Sequence, residues 1–231
     1  MPGNGNITVV AVHGAWADGS SWKDVILGVE REGLKFVAAP IPLTSLSDDV
    51  AALKRALNRV SGPVILAAHA YAGAVIAAVN DERVKALVYI AALAPDEGET
   101  VAQVFYRDEP HPKAPQLTPD VDGFIWMPEE GFANAFAHHA TSEQIAWSAA
   151  VQRPISLKCI QEPAPTPAWR SKASWFLIAE EDRMINPKTQ IFMAKRMGAT
   201  TRALPVDHTP LLTAPEKVVD IIMEAKQEML R

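Results

Sequence analysis

Residues 63–76, PVILAAHAYAGAVI, decide the fold of this chain. The first half, Pro63 to His69, is an apolar run typical of a parallel strand that is buried on both faces. The second half is rich in small residues and predicts a helix from Tyr71 to Asn80. Because only Ala70 separates the two elements, the chain has to turn sharply from strand to helix, and its small neighbours let the two backbones approach closely.

The same alternation of strand and helix continues on both sides of this stretch. It predicts a mainly parallel sheet of at least six strands with helices on both faces, the α/β class. Ser20 or Ser21 is predicted to begin the first helix and Gly33 to end it, and Thr213 with Glu216 is predicted to form a capping box at the last helix. The predicted strands are residues 7–13, 35–39, 63–69, 84–93, 175–179 and 200–204, and the predicted helices are residues 20–33, 47–60, 71–80, 187–197 and 214 onwards.

A proline-rich segment at about residues 95–170 interrupts the alternation. Because it lies between two predicted sheet strands, we interpret it as an inserted cap, which leaves residues 1–94 and 171–231 as the core domain. Pockets of open α/β sheets lie beyond the carboxyl ends of the strands, where such a cap would cover them. The side chains predicted to line a substrate pocket there are Trp16, Trp126 and Phe132.

The composition excludes several classes of protein. The 231 residues include 22 Lys and Arg against 27 Asp and Glu, and a net charge of −5 without a basic run argues against nucleic acid or an anionic membrane as a partner. No apolar run is long enough to cross a bilayer. The single cysteine, Cys159, cannot form an internal disulfide, and the start of the chain lacks the basic region of a secretory signal. We therefore expect a cytoplasmic protein.

Four short motifs follow predicted strands, and the carboxyl ends of parallel strands meet at one edge of a sheet. They are VHGAW at residues 12–16, AHAYAGAVI at 68–76, EDRMINP at 181–187 and VDHTPLLTAPE at 206–216. With these motifs in this order, the chain resembles the α/β-hydrolase superfamily over nearly its whole length. Within it, the resemblance is to small bacterial esterase-like members related to plant methylesterases and hydroxynitrile lyases.

The resemblance implies an α/β-hydrolase fold and a nucleophile–histidine–acid site of the carboxylester-hydrolase type. It assigns His208 as the general base and acid, and Asp182 as the carboxylate that orients it. It assigns the backbone N–H groups of Ala15 and Tyr71 to the oxyanion hole, since Tyr71 opens a helix where free N–H groups favour an anion. The acids that remain as alternatives to Asp182 are Glu180, Glu181 and Asp96.

The nucleophile position departs from the family pattern. The family has a serine between small residues, whereas this chain has Ala70, and a methyl group cannot form an acyl-enzyme. Loss of the nucleophile reduces turnover about a millionfold in a serine protease, so we expect the chain to be nearly inactive towards ordinary esters. An engineered Ser→Ala block and a natural loss or replacement of the nucleophile both explain Ala70.

Three functions stay open for such a site. The leading hypothesis is a hydrolase-family protein that acts on a small, largely apolar, ester-like substrate. The alternatives are a non-catalytic ligand-binding protein and a lyase or cofactor-free oxygenase that uses His208 as a base. We expect no cofactor, because no G-x-G-x-x-G motif follows a strand. The expected partner is a small molecule, and the oligomeric state stays open, with a homodimer as one option.

The other histidines are interpreted as structural. His13 and His69 lie at strand ends, where an imidazole can bond to loop backbone. His138 and His139 form an adjacent pair, but neighbouring residues on a helix point in different directions and no cysteine or carboxylate cluster has zinc spacing. We therefore predict the polar face of a cap helix there and no metal site.

Overall fold

The computed structural model describes residues 7–230, so the expectation about a secretory signal concerns residues outside the described part. The strands are β1 (Thr8–Val12), β2 (Lys35–Ala39), β3 (Val64–His69), β4 (Val84–Ile90), β5 (Phe124–Ile125), β6 (Ile155–Ser156), β7 (Ala173–Ala179) and β8 (Thr200–Leu204). The helices are α1 (Lys23–Arg31), α2 (Leu46–Leu57), α3 (Ala72–Ala77), α4 (Val101–Phe105), α5 (Glu129–Gly131), α6 (Ser142–Ala150), α7 (Leu157–Gln161), α8 (Pro187–Met197), α9 (Pro210–Thr213) and α10 (Pro215–Met229).

Six of the strands form one parallel sheet in the order β2-β1-β3-β4-β7-β8. The parallel direction brings the carboxyl ends of β1, β3, β7 and β8 to one edge of the sheet, as the motif positions require. The predicted α/β class and the minimum of six strands are confirmed. β5 and β6 pair separately as a short antiparallel ribbon.

Successive residues of the central strands supply two separate apolar cores, one on each face of the sheet. On β3, Leu66 and Ala68 pack on the side of α2 and α3, whereas Ile65 and Ala67 pack on the side of α1 and α10. Side chains of a strand alternate between faces, so a strand buried on both sides has to be apolar throughout. The two cores together fix the strand ends on which the candidate site is built.

The predicted start of the first helix is wrong. A 3-10 turn at Gly19–Trp22 precedes α1, and its cap is Asp18, whose carboxylate accepts the Ser20 N–H at 2.8 Å. Neither Ser20 nor Ser21 caps the helix. The motif was misplaced because a 3-10 turn carries the same start signals as an α-helix one turn later. Gly33 does follow the helix end, with a φ of +77°.

The predicted capping box at the last helix is also wrong. Thr213 ends α9, and its hydroxyl donates to the Asp207 carboxylate at 2.6 Å. α10 begins at Pro215 without a side-chain cap. The spacing of Thr213 and Glu216 matched the motif, but the tertiary contact with Asp207 takes the hydroxyl that the cap would use.

The segment between β4 and β7 carries α4 to α7 and the β5–β6 ribbon. It stays a prediction that residues 95–170 form a cap and that residues 1–94 and 171–231 form the core.

None of the helices within residues 7–230 combines the length and the apolar character needed to cross a bilayer.

Candidate active site

His208 and Asp182 meet at the carboxyl edge of the sheet. Asp182 follows β7 and His208 follows β8, and His208 Nδ1 lies 2.8 Å from Asp182 Oδ2. Both side chains are almost fully buried, with 2 % and 0 % of their surface exposed. A carboxylate that accepts the Nδ1–H of an imidazole fixes the tautomer in which Nε2 carries the lone pair. Nε2 is then free to accept a proton.

The Asp182 carboxylate is held by four hydrogen bonds. Its Oδ1 accepts the backbone N–H groups of Met184 and Ile185 at 2.7 and 2.8 Å. Its Oδ2 accepts from Gln190 Nε2 at 2.8 Å, beside the bond from His208. The carboxylate therefore has no freedom to rotate away from the imidazole, and the orientation of His208 is set by the fold.

Gln190 is a site residue that the sequence reasoning missed. It lies on α8 and is fully buried, and its amide bridges three groups. Its Nε2 donates to Asp182 and to the Ile185 carbonyl, while its Oε1 accepts the Ala179 N–H at 3.0 Å. A polar residue on the buried face of a helix is the signal that could have found it.

The main chain of His208 is fixed from two sides. His69 Nε2 donates to the His208 carbonyl oxygen at 2.7 Å. Burial lowers the pKa of His69 to about 3, so that its ring is neutral at physiological pH. On the other side, the carboxylate of Asp207 accepts the N–H groups of Thr209 and His139 at 3.2 and 3.0 Å. Asp207 was also missed by the sequence reasoning.

Ala70 stands at the tip of a strained turn between β3 and α3. Its φ of +51° is in the left-handed region, which residues with a side chain rarely adopt outside functional sites. The turn packs tightly against the loop after β4: a Cβ on Gly73 would lie 2.3 Å from the Leu93 carbonyl oxygen. A sharp turn from strand to helix of this kind is the backbone geometry that a nucleophile elbow requires, and Ala70 stands at its tip.

The side chain of Tyr71 anchors this elbow to α2. Its hydroxyl donates to Asp49 Oδ2 at 2.7 Å, and Asp49 Oδ1 accepts the Leu43 N–H at 2.7 Å. Asp49 is completely buried, and burial raises its pKa to about 6. Burial also raises the pKa of the Tyr71 hydroxyl well above its usual value, so the phenol is a neutral donor.

The two predicted oxyanion donors lie beside Ala70. Ala15 and Tyr71 line the same cavity as Ala70 and His208, and neither backbone N–H has an acceptor among residues 7–230. The loop of Ala15 is positioned by His13, whose Nδ1 donates to the Gly14 carbonyl at 2.9 Å. Burial lowers the pKa of His13 to about 4, which keeps it neutral.

Trp16 joins this loop to the segment between β4 and β7. Its backbone N–H donates to the Arg153 carbonyl at 3.0 Å, and its indole Nε1 donates to the Ile125 carbonyl at 2.9 Å. Its φ is +57°, a second left-handed residue next to the site. Trp16 also lines the cavity, where the sequence placed it.

The cavity over Ala70 has a volume of about 60 Å³ and an almost wholly apolar lining. Trp126 and Phe132 are not part of this lining. Trp126 is half-exposed and its indole donates to Asp120, and Phe132 is fully buried against Phe136. The lining residues are Ala15, Trp16, Ala70, Tyr71, Leu93, Val101, Ala102, Phe105, Tyr106, Leu117, Ile125, Ile155, Ile160, Met184, Ile185 and His208.

The alternative acids lie elsewhere. Asp96 pairs with Arg170 at 2.7 Å, and Glu181 pairs with His139 at 2.9 Å. Glu180 is exposed beyond the end of β7. Within residues 7–230, Asp182 is the carboxylate that bonds to the His208 ring.

The comparison with protein families agrees with this geometry. Residues 9–221 match the model of the alpha/beta hydrolase family, and the chain belongs to that family. A search of curated protein sequences finds no significant match.

Several solved structures share the fold at low sequence identity. Polyneuridine aldehyde esterase matches with a TM-score of 0.84 and 15% identity, covering 96% of this chain and 99% of that one. A pyrethroid hydrolase from Sphingobium faniae JZ-2 matches with a TM-score of 0.80 and 20% identity, covering 95% and 98%. A methylesterase from Arabidopsis matches with a TM-score of 0.78 and 15% identity, covering 96% and 99%.

Proposed function

We propose that this protein binds a small, largely apolar, ester-like molecule and acts on it through His208 without a covalent intermediate. The observation that carries the proposal is the contrast between Ala70 and its neighbours. Ala70 cannot act as a nucleophile. It nevertheless stands in an elbow geometry, next to a His208–Asp182 hydrogen bond of 2.8 Å and two backbone N–H groups free to bind an oxyanion.

Water is the nucleophile that such a site can use. His208 Nε2 takes a proton from a water molecule, and the hydroxide attacks the ester carbonyl carbon. The N–H groups of Ala15 and Tyr71 hold the developing oxyanion. When the intermediate collapses, His208 returns the proton to the leaving alkoxide, so the products are the acid and the alcohol. The reaction is slow because a free water replaces a positioned hydroxyl.

The nature of the cavity supports the substrate class. Its lining is aliphatic and aromatic, and His208 contributes the one imidazole. A ligand with a charged group would lose hydration there without gaining a partner, which is costly in an apolar site. An uncharged molecule with one reactive polar group fits the cavity best.

The experiment that tests this proposal compares the protein with its Ala70→Ser variant on nitrophenyl esters of increasing acyl length. We expect turnover by the Ser variant to exceed that of the protein by roughly a hundredfold or more. His208→Ala in each background serves as the matched control and should remove both activities. If Ala70→Ser turns over no faster than the unaltered chain, the retained parts do not form a competent hydrolase site.

Proton abstraction from a bound substrate is a second candidate function. It is favoured because His208 Nε2 is free to act as a base in a cavity where Ala70 cannot act as a nucleophile. In this reaction, the base removes an acidic C–H proton, and the oxyanion donors hold the enolate-like product. Exchange of substrate protons for deuterium, lost in His208→Ala, distinguishes it from hydrolysis. A protein that only binds would hold its ligand equally well after Asp182→Asn and would show neither reaction.

A further inference from the structure

His138 and His139 do not lie on a regular helix, contrary to the sequence prediction. A π-helical turn, Phe132–Phe136, ends at Ala137, whose φ of −142° breaks the helix. The two histidines then form a turn closed by the bond from the Ala140 N–H to the Ala137 carbonyl at 3.0 Å. Their rings are therefore neighbours, with centroids 4.4 Å apart, and the argument against a metal pair does not hold.

Glu181 completes a group of three potential ligands. His139 Nε2 lies 2.9 Å from Glu181 Oε2. One ligand atom from each of His138, His139 and Glu181 lies within 4.8 Å of the other two. Tetrahedral ligands around zinc are about 3.3 Å apart for bonds of about 2.0–2.1 Å, so small rotations of the exposed His139 and Glu181 side chains suffice to close the site.

His138 gives a second, independent indication of a ligand. Both of its ring nitrogens are buried, and neither has a hydrogen-bond partner of normal geometry in the described part of the chain. Unpaired buried polar atoms of this kind are rare and point to a missing partner.

We propose that His138, His139 and Glu181 bind a divalent transition metal of the zinc class, with an open fourth position for water. Two imidazoles and a carboxylate are the donor set of open zinc sites. The negative charges of Glu181 and Asp207 favour a cation here. The opposing charge is Arg183, whose guanidinium is turned to the Asn134 carbonyl at 3.0 Å.

The proposed metal site is close to the His208–Asp182 pair but separate from it. Glu181 precedes Asp182 in the chain, and Asp207, which precedes His208, accepts the His139 N–H at 3.0 Å. Bound metal would therefore hold the loop after β7 to the turn after residue 136, which the Asp207 carboxylate already joins to the loop after β8. The proposal does not depend on the proposed reaction and can be tested without activity.

The test is a calorimetric titration of tag-free, chelator-treated protein with ZnCl₂. We expect one ion to bind per chain, at least tenfold weaker binding for Glu181→Gln and His139→Ala, and no binding for the double variant H138A/H139A. Glu180→Gln and His111→Ala are the matched controls and should bind as the unaltered chain does, as should His208→Ala. The His139–Glu181 pair is exposed, and the His138 ring nitrogens have no hydrogen bond to lose, so thermal unfolding without metal should leave the midpoints of the three ligand variants close to that of the unaltered chain.

A second readout uses Co²⁺ in place of zinc. Intense visible absorption with the unaltered chain, lost in H138A/H139A, indicates a low-coordinate site built from these residues. The proposal is overturned if the unaltered chain binds no zinc, or if the double variant and Glu181→Gln bind it as tightly as the controls.

Discussion

The candidate site has an acid–base half around His208 and Asp182 and a nucleophile half around Ala70. The two halves are held in place by different means. Around His208, the contacts are side-chain hydrogen bonds, and Asp182 alone accepts four. Around Ala70, the geometry comes from a strained backbone, with a φ of +51°, and from the close passage of Gly73 past Leu93. A strained residue of this kind costs about 1–3 kcal/mol. The difference shows that the elbow geometry does not depend on a hydroxyl at its tip.

Breaking the acid–base half should give the largest effect. In the Ala70→Ser background, Asp182→Asn removes the charge that stabilises the His208 imidazolium and favours the wrong tautomer. We expect kcat for a nitrophenyl ester to fall by about 10⁴-fold with little change in KM. Steady-state kinetics of the two variants check this. A loss of less than about tenfold would mean that Asp182 does not act on His208 during turnover.

Breaking the nucleophile half should mainly affect stability. Gly73→Ala places a methyl group 2.3 Å from the Leu93 carbonyl oxygen, which belongs to the backbone and cannot move aside cheaply. We expect the free energy of unfolding to fall by at least about 3 kcal/mol, measured by urea denaturation. Gly19→Ala is the control, since its methyl group would meet only the Ala38 side chain at 3.3 Å and should cost far less.

Acidification should weaken both halves together. The pKa of His13 is about 4 and that of His69 about 3, against about 6.5 in the unfolded chain. Both histidines take up a proton on unfolding below about pH 6.5, so the stability they provide is lost as the pH falls from there towards 4. Asp49, with a folded pKa of about 6, acts in the opposite direction, because the folded chain keeps its proton between about pH 6 and 4.

On unfolding at acid pH, His13 and His69 each take up a proton and Asp49 releases one. The net free energy of unfolding should therefore fall by about 2–3 kcal/mol between pH 7.5 and pH 5. Urea denaturation at a series of pH values measures this change. Asp49→Asn should make the fall steeper by about 1 kcal/mol, because it removes the compensating proton. A stability that is flat over this range would show that the two histidines are not held neutral.

Gln190→Leu tests the hydrogen bonds of the acid–base half, and its expected effect on activity is the smallest. It removes a donor to Asp182 while keeping the side-chain volume, and a hydrogen bond to a charged group contributes about 1.5–3 kcal/mol. We expect a loss of about 2 kcal/mol in unfolding free energy and a fall of roughly tenfold in kcat of the Ala70→Ser enzyme without a change in KM. Gln227→Leu, on the exposed side of α10, should leave both unchanged. An equal effect of the two substitutions would remove Gln190 from the site.

The sequence sufficed for the parts of the molecule that depend on local pattern. Apolar runs such as residues 64–69 form the strands, and the order of motifs placed Asp182 and His208 at neighbouring strand ends. It did not reveal Gln190 or Asp207, because their roles come from contacts between elements far apart in the chain. Nor did it predict the true surroundings of Trp126 and Phe132, since packing of short helices after residue 91 follows no simple periodicity.

Trp16 links the loop of Ala15 to the segment between β4 and β7. The residue after Ala15 is tied to Arg153 and Ile125 by two hydrogen bonds at 3.0 and 2.9 Å. Any outward swing of that segment has to release both bonds and so free the loop that carries the Ala15 N–H, one of the two oxyanion donors of the proposed reaction. Opening the cavity to solvent would then also displace this donor, so the proposed reaction would proceed only while the ligand is enclosed.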